Sequence, residues 1–137
     1  MNNVILIGRL TRDPELRYTT GGTAVARFTI AVDKQLSKEK KDEFEAQGKP
    51  TADFIRCISW GKQAEVVSEY TAKGLMVAVN GRIETGSYQD QEGRTIYTTD
   101  VITNQVKFLQ WKDNQANNSQ NEPVEDFEYV DDENIPF

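Results

Sequence analysis

The 137 residues include no histidine and a single cysteine, Cys57, so His-based triads, His-ligated metals, an internal disulfide and multi-cysteine zinc sites are excluded. All sixteen Lys and Arg residues fall within residues 1–112, beside fourteen acids, whereas residues 113–137 hold eight acids and no base. The net charge of −6 is therefore a body near +2 joined to a tail of −8, an asymmetry that marks an interaction tail beside a surface handling polyanions.

The body reads as strands with one helix. Residues 3–10 are apolar and β-branched up to Gly8, and Asp13-Pro14 breaks the run. After the Gly21-Gly22 turn, Ala24, Ala26, Phe28, Ile30 and Val32 alternate with Val25, Arg27, Thr29 and Ala31, a period of two that predicts a long strand. Residues 33–52 crowd Lys38, Glu39, Lys40, Lys41, Asp42, Glu43 and Glu45 together and offer almost nothing to a core, so they predict a solvated excursion of hairpin form. Residues 53–60 are strand again. Residues 62–73 predict the helix: Ala64, Val67 and Tyr70 recur at spacing three, Gly61 precedes them, and Gly74 is placed as the C′ stop. Residues 75–83 and 95–109 are two further strands, with a polar hairpin tip at Gln89-Asp90-Gln91-Glu92-Gly93 between them.

Three strands, a helix and two strands is the order of the OB-fold, an all-β, five-stranded Greek-key barrel with its helix between the third and fourth strands. OB barrels bind single-stranded nucleic acids or oligosaccharides on one open face, which narrows function without settling it. Beyond Gln110 the chain turns to Asn and Gln around Ala116 and Ser119, a composition that cannot bury a core. The expected organisation is a barrel over residues 1–112 and a disordered linker with an acidic tip over residues 113–137. The apolar run Val4-Ile5-Leu6-Ile7 is too short for a signal peptide or a membrane span, so the chain is expected in the cytoplasm and away from membranes. Without a His partner, Cys57 reads as a small buried residue, not a nucleophile. No cofactor, metal or catalytic residue is expected, and the chain reads as a binding protein.

The third strand carries the sharpest local signal. At period two, Phe54, Arg56, Ile58 and Trp60 point one way and Ile55, Cys57 and Ser59 the other. An interior with an arginine between two aromatics is unfavourable, because a buried unpaired guanidinium costs more than the rings recover. The small, apolar Ile55/Cys57 side suits the interior, which leaves an outward aromatic and cationic stripe fit for stacking on bases and pairing with phosphates. The alternative is that Phe54 and Trp60 cap the core while Arg56 snorkels, and strand 3 alone leaves both open. Tyr88 follows the hydrophilic Glu84, Thr85, Gly86 and Ser87, so its ring is expected outside; Tyr97 lies across the same hairpin. Arg9, Arg12, Arg17, Lys62 and Lys73 are scattered bases that taken singly need no more than solubility to explain them, and Tyr70 completes the apolar face of the helix.

Together these segments resemble the single-stranded-DNA-binding proteins of bacteria and phages. The resemblance rests on Met1 to Leu10, Asp13-Pro14-Glu15-Leu16-Arg17-Tyr18, Asp53-Phe54-Ile55-Arg56 through Trp60-Gly61-Lys62-Gln63-Ala64-Glu65, Tyr70-Thr71-Ala72-Lys73-Gly74, Gly81-Arg82, Tyr97-Thr98-Thr99 and the terminal Pro136-Phe137. It leaves only the charged excursion and the linker unmatched. It implies an OB-fold that usually assembles as a homotetramer and wraps single-stranded DNA without sequence preference, in replication, recombination and repair. Stacking positions of the family fall on Phe54, Trp60 and Tyr88, with the backbone-contacting arginine on Arg56; Lys62, Lys73 and Arg9 join them as candidate phosphate contacts. A family aromatic after the second strand falls on Leu36, which has no π face, and basic positions before the hairpin aromatic are occupied by Glu84, Gly86 and Ser87. Both departures point to weaker binding per subunit.

The resemblance also assigns the tip, Asp131, Asp132, Glu133, Ile135, Pro136 and Phe137, to docking partner proteins. Phe137 suits an apolar pocket while its carboxylate and the neighbouring acids meet basic side chains; Asn134 replaces a further acid. A solubilising tail, or one that competes with DNA for the barrel, are the other readings. The rival for the whole chain is an OB-fold adaptor whose aromatic face binds protein or RNA.

Overall fold

The computed structural model describes residues 1–111, and the tail assignments (disorder from about Lys112 and the partner-binding tip 131–137) lie outside the described residues. The elements run β1 (Val4–Leu10), β2 (Glu15–Tyr18), β3 (Ala24–Asp33), α1 (Lys38–Ala46), β4 (Ala52–Trp60), α2 (Lys62–Tyr70), β5 (Met76–Gln89) and β6 (Thr95–Phe108). The sheet order is β1-β5-β6-β4-β3-β2, and a further β1–β3 pairing closes the ring. Every pairing is antiparallel except β4 with β6, which meet in parallel at Cys57↔Val101 and Ile58↔Ile102. Five of the strands and α2, set between β4 and β5, reproduce the expected all-β OB barrel.

Two elements depart from expectation. β2 was not anticipated because Asp13-Pro14 reads as the end of β1, yet the four residues beyond it pair with β3 from Glu15↔Arg27 to Tyr18↔Ala24. Such a short strand is held by its partner, not by its own pattern. The charged excursion contains α1 where a hairpin was expected. Ser37 caps that helix by accepting from the Lys40 backbone N–H at 3.2 Å, and seven of its nine residues are Lys, Glu or Ala, all good helix formers. The helix α2 is also shorter than predicted. It ends at Tyr70 because Thr71 turns to extended backbone, and Gly74 (φ +89°) serves a later turn whose N–H donates to Leu10 O at 2.8 Å.

The interior is lined by Leu10, Phe28, Ile30, Cys57, Val66, Val67, Val77, Val79, Val101, Val106 and Phe108, all nearly without solvent contact. At one end Tyr70, Phe108 and Trp111 interlock with centroid separations of 5.6–6.1 Å. A smaller cluster of Ala24, Ala26 and Ala64 seats α2 against β3. Beneath the helix, Ser59 and Thr103 hydroxyls bond at 2.7 Å, and Thr103 donates in turn to the Gln63 side-chain carbonyl. Among the described residues no charged side chain is buried, no helix is long and apolar enough to cross a membrane, and no cluster of three or more His, Cys, Asp or Glu is placed to hold a metal.

β5 is where the barrel opens into an arm. It pairs with β1 as far as Gly81 and shifts register against β6 between Asn80 and Gly81. Every residue from Arg82 to Gln89 is then exposed. A Cβ at Gly81 would stand 2.2 Å from Ile102 O, so only glycine allows this bulge. Gly81→Ala is therefore expected to destabilise the fold by about 1–3 kcal/mol, read as a lower urea midpoint; an unchanged midpoint would show that the crossing tolerates a methyl group.

Candidate nucleic-acid interface

β4 delivers its side chains as its period of two demands. Cys57 and Ser59 are buried and Ile55 is half-buried, while Phe54 is 61% and Trp60 49% exposed. The outward arrangement thus holds, and the core-capping alternative does not. β3 continues the outer surface, since the register sets Val25 beside Trp60, Arg27 beside Ile58, Thr29 beside Arg56 and Ala31 beside Phe54. Phe54 and Trp60 are six residues apart and so stand about 20 Å from each other along the strand.

The β5–β6 arm brings the third ring. Glu84 pairs with Asp100, Gly86 with Thr98 and Tyr88 with Ile96, a row on one face of the arm. Asp100 accepts from Arg56 Nε at 2.8 Å, which ties that face to the outer surface of β4. This hydrogen bond, more than the charge alone, raises the Arg56 pKa, and Tyr88 lies near enough to add to it. The arm's tip is fixed by Asp90, which accepts from the Glu92 and Arg94 backbone N–H groups at 2.9 and 2.8 Å and pairs with the Arg94 side chain at 3.0 Å. These bonds, the Arg94 backbone first, lower the Asp90 pKa. Tyr97 sits opposite Ser87, on the other face of the arm from Tyr88.

Between arm and barrel runs a groove. Its larger part, about 590 Å³, is lined by Arg12, Arg27, Arg56, Tyr88, Thr98 and Asp100 among others. A smaller hollow of about 180 Å³ continues past Arg27 and Glu15 to Tyr18, Arg17 and Trp60. Both parts share Glu15 and Arg27, so the groove leads from Tyr88 at one end to Trp60 at the other. Arg56 is paired with Asp100 and Arg17 with Glu15, whereas Arg12 and Arg27 form no salt bridge among the described residues.

Of the sequence candidates, Arg56 and Tyr88 line the larger hollow and Trp60 the smaller, and Phe54 lies beyond Arg56 on the same face. Lys62 is exposed one residue past Gly61, just outside the groove. Arg9 and Lys73 are not brought to it. Arg9 shares an outer row with Ala31, but its guanidinium donates to Gly74 O at 3.1 Å and to Gln110 Oε1 at 2.9 Å. Lys73 is exposed in the turn after α2, where its backbone N–H donates to Asp13 Oδ1 at 2.9 Å. Sequence reasoning missed Arg27, although its outward place on β3 follows from the same alternation that exposes Arg56. It also missed Tyr18, because β2 was not recognised. Cys57, facing inward, has its pKa pushed up to about 12 by burial first and by Asp100 second, so it is no nucleophile.

The family model described as "Single-strand binding protein family" matches residues 1–109. A protein of Clostridium tetani named single-stranded DNA-binding protein is 48% identical over 121 residues, covering 88% of this chain and 78% of its own. Single-stranded DNA-binding proteins 2 and 3 of Clostridium acetobutylicum are 47% and 41% identical over the full length of both chains. A single family model spanning nearly the whole barrel, and relatives matched from end to end, place this chain in the single-strand binding protein family.

Proposed function

We propose that this protein binds single-stranded DNA without sequence preference, a binding function and not a catalytic one, in replication, recombination and repair. The observation that carries this reading is the groove itself: a ring at each end, Trp60 and Tyr88, and a row of arginines between them. Every base has a π face, so stacking on rings is indifferent to sequence, and each stack is worth about 1–3 kcal/mol. Phe54, Trp60 and Tyr88 together would supply roughly 3–9 kcal/mol per subunit before ordering costs. With acids interleaved among the arginines, counterion release contributes less than in a strongly basic binder.

We further propose that several copies assemble, as a homotetramer, and convert successive contacts into intramolecular ones. Support comes from β1. Ile5 and Ile7 are 67% and 53% exposed on its outer face, opposite Asn80 and Ala78 of β5. The Asn80 side-chain oxygen is buried there without a hydrogen-bond partner. β1 meets β3 only at Arg9 and Leu10, so its first half offers a free strand edge to a second copy. We infer for the acidic tip, residues 131–137, the recruitment of partner proteins, on the chemistry of an apolar terminal residue among acids. A cytoplasmic location follows from this function.

Trp60→Ala is expected to weaken oligo(dT) binding by about tenfold and Lys62→Ala by less; a salt-dependent titration in which Lys62→Ala is the more damaging would refute the stacking account. Because Trp111 is locked against Tyr70 and Phe108, DNA-dependent fluorescence quenching should vanish in Trp60→Phe and persist in Trp111→Phe. Ile5→Asp with Ile7→Asp should lower the light-scattering mass from four chains to one while the circular dichroism stays unchanged; an undiminished mass would place the interface elsewhere. Removal of residues 113–137 should tighten DNA binding at low salt if the acids compete for the groove, and equal affinity would dispose of that role.

A further inference from the structure

The segment between β3 and β4 stands apart from the groove. α1 has no buried residue and packs on no other element to any extent. Its one aromatic residue, Phe44, is nonetheless placed beside lysines. At about 100° per residue, Lys40, Phe44 and Lys41 fall in one sector, bordered by Glu45, and Glu39, Asp42 and Glu43 in the opposite one, bordered by Lys38. The chain after the helix folds back over the ring: the Lys49 backbone N–H donates to Phe44 O at 2.8 Å, and Lys49 Nζ lies 5.5 Å from the ring centroid. Three lysines thus flank one half-buried aromatic, the only aromatic residue in residues 33–52.

The root of this arm is continuous with the proposed binding surface. The β3–β4 ladder carries Phe54 beside Ala31 and ends at Asp33↔Ala52, with Lys34 N–H donating to Thr51 O at 2.9 Å before the chain leaves the sheet. A strand stacked on Phe54 and continuing in the same direction comes next to the root of the arm at Asp33 and Ala52. Leu36, at the arm's beginning, has no ring to offer a base; Phe44 is eight residues further on. The occupant that fits a ring among lysines, contiguous with Phe54, is the same polyanion with the same exposed bases.

We propose that the α1 arm extends the path of single-stranded DNA beyond Phe54, with Phe44 stacking on a base and Lys40, Lys41 and Lys49 pairing with neighbouring phosphates. This rests on the single-strand binding function proposed above. The test uses the full chain, its Phe44→Leu and Phe44→Tyr variants, and a variant carrying Lys40→Gln, Lys41→Gln and Lys49→Gln together. Short dT oligomers that quench Trp60 should bind all of them alike. Longer dT oligomers should bind Phe44→Leu about tenfold more weakly, Phe44→Tyr as tightly as the unaltered chain, and the lysine variant with a log–log salt slope shallower by about 2. Equal binding by Phe44→Leu at every length, an equal loss in Phe44→Tyr, or an unaltered salt slope would overturn the role of the arm. Absence of quenching by any oligomer in the unaltered chain would instead overturn the binding function itself.

Discussion

The interior of this barrel accepts aliphatic side chains, two phenylalanines and a few hydroxyls, and it holds no charge. β4 runs through the middle of that wall, flanked by β3 and β6, and every second residue of it must satisfy the interior. Cys57 and Ser59 do so, the latter through its hydroxyl contact with Thr103. Phe54, Arg56 and Trp60 are thereby committed to the outside, and the register passes the same commitment to Arg27 and Thr29 on β3. An unpaired guanidinium inside would cost several kcal/mol, so the alternation is enforced by desolvation more than by strand propensity. The outer surface is in this sense a by-product of the core.

A flat outer wall would be a poor groove, and the arm makes it concave. β5 serves two masters, pairing with β1 below Gly81 and with β6 alone above it. The bulge at Asn80/Gly81 redirects the strand, and the absence of a Cβ lets Ile102 O approach. The Arg56–Asp100 hydrogen bond then ties the arm to the wall, and Tyr88 lines the same hollow as Arg12, Arg27 and Arg56. That ion pair is half exposed on the Arg56 side, so its worth lies in orientation more than in stability.

The charge pattern of the groove follows the same logic of restraint. Each of Arg17 and Arg56 has an acid at hand, and Glu15 and Asp13 line the walls beside Arg12 and Arg27. A surface so balanced does not hold a polyanion by field alone. Rings at the groove ends add contacts that salt screens little, and the proposed assembly through β1 would multiply them through linkage.

Much of this was legible in the residues. Period two in β3 and β4, spacing three in α2, and the Gln89-to-Gly93 tip follow from local geometry that neighbours cannot rewrite, and they were enough for the strand order and for the outward set on β4. Where neighbours decide, the reading ran out. β2 exists because β3 offers it an edge, and with it came Tyr18 and half of the smaller hollow. α1 formed in a segment with no buried face, so no hydrophobic period announced it. Arg9 and Lys73 looked equivalent to any other base, and only the folded chain shows Arg9 bonded to Gly74 and Gln110, away from the groove. Alternation tells which way a side chain points from its own strand, whereas the meeting of Arg56, Asp100 and Tyr88 depends on how β4, β5 and β6 close around one another. That closure is set by long-range pairing and a single glycine, and no window of neighbouring residues contains it.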